Sequence, residues 1–273
     1  GGEAIKLTSH AESVAAFDWS PDSSHLAIVG PPAKTDEEKR RERDKDDGYL
    51  LGEQWRNHRV WIVPAASDTP RQLTDGTLHV RSVAWSPDGT QIAVSVAPNA
   101  EADASRDAKA QVIGIASGQA RDIPGGDLAG NLSWSPDGRR LAFTRAFDGR
   151  GISRGDLHVW DTRTAIAARN VSAGIDRDVE ELFWTLDGGG IDVLVSYGAT
   201  HSLLRVDLNA TEPLPLQRFA HSIGVIARGG TAQVYSRTDR PAELYFGTSA
   251  SDARVLTSLN AAAGGMQLPS AEA

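Results

Sequence analysis

Residues 83–95 read Val83-Ala84-Trp85-Ser86-Pro87-Asp88-Gly89-Thr90-Gln91-Ile92-Ala93-Val94-Ser95. Ser-Pro-Asp-Gly is type I turn chemistry: serine at the first position bonds the turn backbone, proline presets φ at the second, and glycine takes the fourth. The segment before the turn ends in a large aromatic residue. The segment after it is a short apolar run suited to a strand buried on both faces. The stretch therefore predicts a tight antiparallel hairpin.

The same phrase recurs as FDWSPDSSHLAIV from Phe17, as LSWSPDGRRLAFT from Leu132, and in weaker form as LFWTLDGGGIDVLV from Leu182. Trp19, Trp85, Trp134 and Trp184 mark a period of about 50 residues, in the range of propeller repeats. The first interval is longer, and residues 33–57 supply the excess as a charged insertion. The repeat residues are Trp19, Pro21 and Asp22; Trp85, Pro87, Asp88 and Gly89; Trp134, Pro136, Asp137 and Gly138; and Trp184, Asp187 and Gly188. Each hairpin is followed by a third apolar segment (residues 58–65, 111–116, 156–161 and 203–208). In three units a short polar fourth segment is seen, at 71–74, 120–123 and 169–171. Four antiparallel strands per period is the pattern of a propeller blade, whose faces are buried only by stacking on neighbours.

The fold class expected is thus all-β, a β-propeller of four-stranded antiparallel blades. Residues 221–260 read as a fifth, degenerate unit whose turn, Arg228 to Thr231, has lost Ser-Pro. Ala4 to Thr8 match an outer strand without the three strands that should precede it. The expected organisation is a propeller over 1–260, with units 1–9 (partial), 10–77, 78–125, 126–173, 174–220 and 221–260, then a linker over 261–273. One orphan strand plus five units does not complete a ring, so the start reads as truncated, and earlier chain or another copy is expected to close it.

Composition narrows the function. The chain has 273 residues with 40% hydrophobic and 23% charged side chains, which is ordinary for a globular protein. A formal charge of −8, from 28 basic and 36 acidic residues, argues against a phosphate-binding track and hence against nucleic acid. No cysteine is present, which excludes disulfides, thiolate metal sites and a cysteine nucleophile. No apolar run approaches the roughly 18 residues of a membrane span. GGEAIKLTSH is not signal-like, so a cytoplasmic location is expected, with a periplasmic or secreted one as the alternative if the start is truncated.

The pattern of Leu-Thr, Trp-Ser-Pro-Asp-Gly and Leu-Ala-Phe, repeated at this period, resembles the propeller repeats of the prolyl oligopeptidase family, especially its acylaminoacyl-peptidase and dipeptidyl-peptidase-like branches. TolB-like proteins share the repeat. The charged stretch leading into His58-Arg59-Val60-Trp61-Ile62-Val63 is similar to bacterial acylaminoacyl-peptidase-like sequences. The resemblance implies a seven-bladed parent propeller capping an α/β-hydrolase domain with a Ser, Asp and His triad. This chain would then be a non-catalytic domain that gates and selects peptide substrates and docks the hydrolase domain, within a serine peptidase. The alternative is a stand-alone TolB-like scaffold for protein partners. A homo-oligomer is a further possible partner arrangement.

No catalytic, cofactor or metal residue is assigned. Gly151-Ile152-Ser153-Arg154-Gly155 matches a GxSxG elbow, but that motif needs a strand entering and a helix leaving, and a strand is expected after Ser153. The histidines at 10, 25, 58, 79, 158, 201 and 221 show no metal-ligand spacing, and His10, His79 and His221 read as preceding first strands. Asp22, Asp88, Asp137 and Asp187 could suggest periodic calcium sites, but turn chemistry already accounts for them. Lys34 to Asp47 read as a solvated loop or short exposed helix, with docking to a neighbour as the functional alternative. Glu180-Glu181 could hold a substrate amino terminus, although they lead straight into a strand.

Overall fold

The computed structural model describes residues 3, 6–10, 12–46, 48, 55–67, 69–148, 153–197, 200–209, 214–219, 221–227, 231–237, 240–247 and 254–261. They form five four-stranded antiparallel sheets. The first comprises β1 (Ala16–Trp19), β2 (His25–Gly30), β3 (Arg59–Pro64) and β4 (Arg71–Gln72), with helix α1 (Asp36–Asp44) between β2 and β3. The second comprises β5 (His79–Trp85), β6 (Gln91–Ala97), β7 (Lys109–Gly114) and β8 (Ala120–Asp127). The third comprises β9 (Ala129–Trp134), β10 (Arg140–Ala146), β11 (Gly155–Asp161) and β12 (Arg169–Asn170). The fourth comprises β13 (Val179–Trp184), β14 (Gly190–Tyr197), β15 (Thr200–Asp207) and β16 (Leu214–Phe219). The fifth comprises β17 (His221–Ala227), β18 (Thr231–Arg237), β19 (Arg240–Gly247) and β20 (Arg254–Val255). In each sheet the strands are hydrogen-bonded in chain order, which is the meander of a propeller blade.

The chain divides into two compact units, Gly1–Ser153 with Val159–Arg169, and Arg154–His158 with Asn170–Ala273. In the first unit, apolar residues on the middle strands point to either face, so that the second sheet buries both of its faces. Ala27, Val29, Val60 and Ile62 pack against Val80, Trp85, Ile92, Val94 and Ile113. Ala84, Ala93, Ala110 and Val112, on the opposite face of the second sheet, pack against Trp134, Leu141, Phe143 and Trp160. Burying each Ile, Leu or Val contributes about 1.5–3 kcal/mol, so this stacking supplies the main stabilisation. Polar joints fix the register between sheets: the Trp85 amide donates to Asp18 Oδ2 at 2.7 Å, and the Trp134 indole donates to the Ala84 carbonyl at 3.1 Å. Trp19, on the first sheet of this unit, remains 39% exposed. In the second unit, Leu182, Ile191, Val193, Leu194, Val195, Leu203 and Val206 bury the fourth sheet.

Three outer strands, β4, β12 and β20, are short for a chemical reason. In the first sheet the Leu73 amide donates to the Val60 carbonyl at 2.8 Å, and the Val60 amide donates to Thr74 Oγ1 at 3.0 Å, so a hydroxyl stands where a strand carbonyl would be. Ser172 does this for Leu157 at 2.7 Å, and Thr257 for Leu244 at 2.9 Å.

Three sequence expectations need correction. Lys6-Leu7-Thr8 carry no strand, because no partner ladder is offered to them among the described residues; Leu7 instead packs beside Leu26, Ile28 and Val63. Ala4 and Ile5 lie outside the described residues. The second unit does not end at 125: β8 runs to Asp127, because after a register shift at Pro124-Gly125-Gly126 pairing resumes as Lys109 opposite Asp127. His79 and His221 open strands instead of preceding them. The turn expected at 228–231 and the tail after Ala261 fall largely outside the described residues.

Candidate functional site

The four repeat turns share one hydrogen-bond cage. In the second sheet the Gly89 amide donates to the Ser86 carbonyl at 2.9 Å, and Ser86 Oγ accepts the Gln91 amide at 3.0 Å. Ser86 Oγ donates in turn to Asp88 Oδ1 at 2.6 Å, which also accepts the Thr90 amide at 3.0 Å. The same pattern links Ser20, Asp22, Ser24 and His25, and links Ser135, Asp137, Arg139 and Arg140. Thr185 replaces the serine in the fourth sheet and donates to Asp187 Oδ1 at 2.5 Å. The hydroxyl of the first turn residue, helped by the backbone amide that follows, holds each aspartate below the usual carboxylate value of 3.8. These carboxylates are turn acceptors. Among the described residues no three His, Asp or Glu side chains converge to hold a metal.

The fourth turn position needs a left-handed backbone. Gly89 has φ 71° and Gly138 φ 68°, whereas Ser23 takes φ 58° with a side chain attached. A Cβ on Gly89 would meet Pro21 Cδ at 3.8 Å, an ordinary contact, so backbone conformation decides the preference for glycine there.

The other edge of the first unit carries the long connections. Helix α1 opens with a capping box: Thr35 Oγ1 accepts the Glu38 amide at 3.2 Å and Glu38 Oε2 accepts the Thr35 amide at 2.6 Å. Lys45 closes it in the left-handed conformation, and it buries no residue. Arg56 ties it down, reaching Glu12 at 3.2 Å and Glu38 at 3.5 Å. The Trp55 indole donates to Glu101 Oε1 at 2.8 Å, joining the insertion to the next connection. The His58 and His79 rings meet at a tilt of 41° with centroids 4.5 Å apart, and the His58 amide donates to His79 Nδ1 at 3.1 Å. Burial, with smaller contributions from His58 and Arg81, lowers His79 from 6.5 to about 4; burial also lowers His58.

Ser153 and Glu180, singled out in the sequence, lie beside and within strands. Ser153 Oγ accepts the Asp148 amide at 3.3 Å, and the strand β11 follows it, where a nucleophile elbow would need a helix. Gly151 and Ile152 lie outside the described residues. In the second unit Ser196, Glu180 and His201 do meet: Ser196 Oγ donates to Glu180 Oε1, and His201 Nε2 lies 3.2 Å from Glu180 Oε2. A hydrolytic triad places histidine between the serine and the acid. Here the acid is central, accepting from Ser196 and standing beside His201. Glu180 is the extra residue of a β-bulge, Val179 facing Val195 and Glu181 facing Leu194, and bulges re-aim side chains. Spacing in the sequence could not show this meeting, because it depends on pairing across three strands.

Known proteins bear on this geometry. A WD domain, G-beta repeat matches residues 71–109. No curated protein matches the chain. Acylaminoacyl peptidase from Pyrococcus horikoshii superposes with a TM-score of 0.69 at 16% identity, over 92% of this chain and 39% of that one. The β-propeller domain of the Trilobed protease from Pyrococcus furiosus superposes with a TM-score of 0.63 at 15% identity, over 90% and 68%. The chain is a β-propeller. TolB from Acinetobacter baumannii is also similar, with a TM-score of 0.59 at 16% identity, over 86% of this chain and 53% of TolB. This propeller thus spans about half of TolB and less than half of the Pyrococcus horikoshii peptidase.

Proposed function

We propose that this propeller is the non-catalytic domain of a serine peptidase of the prolyl oligopeptidase type, restricting which peptides reach a neighbouring α/β-hydrolase domain and docking that domain. The observation that carries the reading is the likeness to acylaminoacyl peptidase, which takes in nearly all of this chain and well under half of that one. The long connections around α1 and Trp55 are the surface on which such a domain, or an incoming peptide, would be met.

The test has two parts. The reading frame beyond Ala273 is expected to encode a GxSxGG elbow followed by aspartate and histidine, and a stop codon there would favour a scaffold of the TolB kind. The 273-residue chain itself is expected to resist labelling by a fluorophosphonate. Stoichiometric labelling that is lost in Ser196→Ala would overturn the non-catalytic reading.

A further inference from the structure

Within the first unit the same inter-sheet crevice occurs twice, and the chain fills one of them with its own aromatic ring. Arg71 faces Ile62 across β3 and β4 as Arg121 faces Val112 across β7 and β8. Arg71 reaches forward to the Ile115 carbonyl at 3.2 Å, and Arg121 reaches forward to the Thr162 carbonyl at 3.4 Å. Ile115 and Thr162 are themselves equivalent, their amides donating to Thr90 and Arg139, each the residue after a turn glycine. The two braces are therefore one device used twice.

The residues beneath the braces differ. Two positions before Thr162 stands Trp160, fully buried, with the Arg121 guanidinium carbon 4.8 Å above its ring centroid and its indole donating to the Thr164 carbonyl at 3.3 Å. Two positions before Ile115 stands Ile113, which is buried but brings no ring. Trp160 packs with Trp134 and Val112. Their counterparts Trp85 and Ile62, together with Arg71, Ile115, Pro64 and Pro87, line a cavity of about 580 Å³. That volume falls within the range of ligand pockets, and a cation within about 6 Å of a ring centroid attracts the ring face.

We infer that the crevice beneath Arg71 is a binding site for an aromatic side chain presented by a peptide segment, which takes against Arg71 the place that Trp160 takes against Arg121. Asp22 and Asp88 on its rim select a segment with neutral or basic neighbours around the aromatic residue. The site lies on the turn edge, away from the long connections, and does not depend on the peptidase reading.

The probe is N-acetyltryptophanamide, titrated into the isotope-labelled chain and followed by NMR, with N-acetylleucinamide as the aliphatic control. Saturable shifts are expected at Arg71 Nε, Ile115 and Trp85, with the leucine compound weaker. Arg71→Ala, at an exposed position, is expected to weaken tryptophanamide binding about two- to fivefold. Ile113→Trp is expected to abolish it by supplying the ring from within. Equal binding of the two probes, absence of saturable shifts at these residues, or unchanged binding in Arg71→Ala would overturn the inference. The last of these decides the matter even where Ile113→Trp does not fold.

Discussion

Along one edge of the first unit, Ser20–Ser24, Ser86–Thr90 and Ser135–Arg139 repeat one turn with the same donors and acceptors; along the other, the connection that carries α1 and the one from Pro98 to Ala108 share neither length nor sequence. On the turn edge the hydroxyls and carboxylates hydrogen-bond within the turn, and proline from one sheet sits against the glycine of the next. Little can vary there without reopening a cage. On the long edge α1 buries nothing and is held by ion pairs, so its sequence is free to follow a partner. Uniformity marks what the stacking requires, and irregularity marks where specificity can be written.

The comparison can be broken most sharply in the stacking beneath the turns. Trp134→Ala removes a buried ring and the bond to Ala84, and is expected to cost about 3–5 kcal/mol in urea unfolding. A loss below about 1 kcal/mol would mean the sheets do not depend on these rings. Asp88→Ala opens a cage, with an expected loss of about 1 kcal/mol. Ser23→Gly relieves a side chain held in the left-handed region, and a gain of about 0.5–1 kcal/mol is expected. Destabilisation by that change would show that the first turn is built differently from its copies.

Acid should separate the two edges by pH. The turn aspartates lie below 3.8 in the folded chain, so the folded state binds fewer protons there than the unfolded one, and their contribution disappears as pH falls below 3.8. His79 is lowered from 6.5 to about 4, so its neutral form favours folding and stability declines between those values as pH drops. In urea midpoints measured against pH, His79→Gln should flatten the upper window and Asp88→Asn part of the lower one. A midpoint profile unchanged by His79→Gln would remove the histidine pair from the account. The smallest effect belongs to the long edge: Thr35→Ala uncaps α1, which should raise amide exchange across 36–44 while global stability moves by less than about 0.5 kcal/mol.

Much of this was legible because each hairpin is specified locally. Ser-Pro-Asp-Gly fixes the reversal, the apolar run after it fixes the buried strand, and Leu73-Thr74 signals an outer strand whose threonine closes the ladder. The braces of Arg71 and Arg121 were not legible, because their reach to Ile115 and Thr162 needs the next sheet in place. The extension of β8 past Gly126 was hidden because Pro124 and two glycines read as an ending. Glu180 was noticed for its charge, but its bonds to Ser196 and His201 depend on a bulge that pairing alone creates.

Strands β4, β12 and β20 each pair over two residues before a hydroxyl takes over the ladder. A long free edge is a template for another chain to add to, and these offer almost none. Fibril growth by strand addition therefore finds little to pair with at these three edges, which leaves β8 and β16, of eight and six residues, as the edges an added chain would extend.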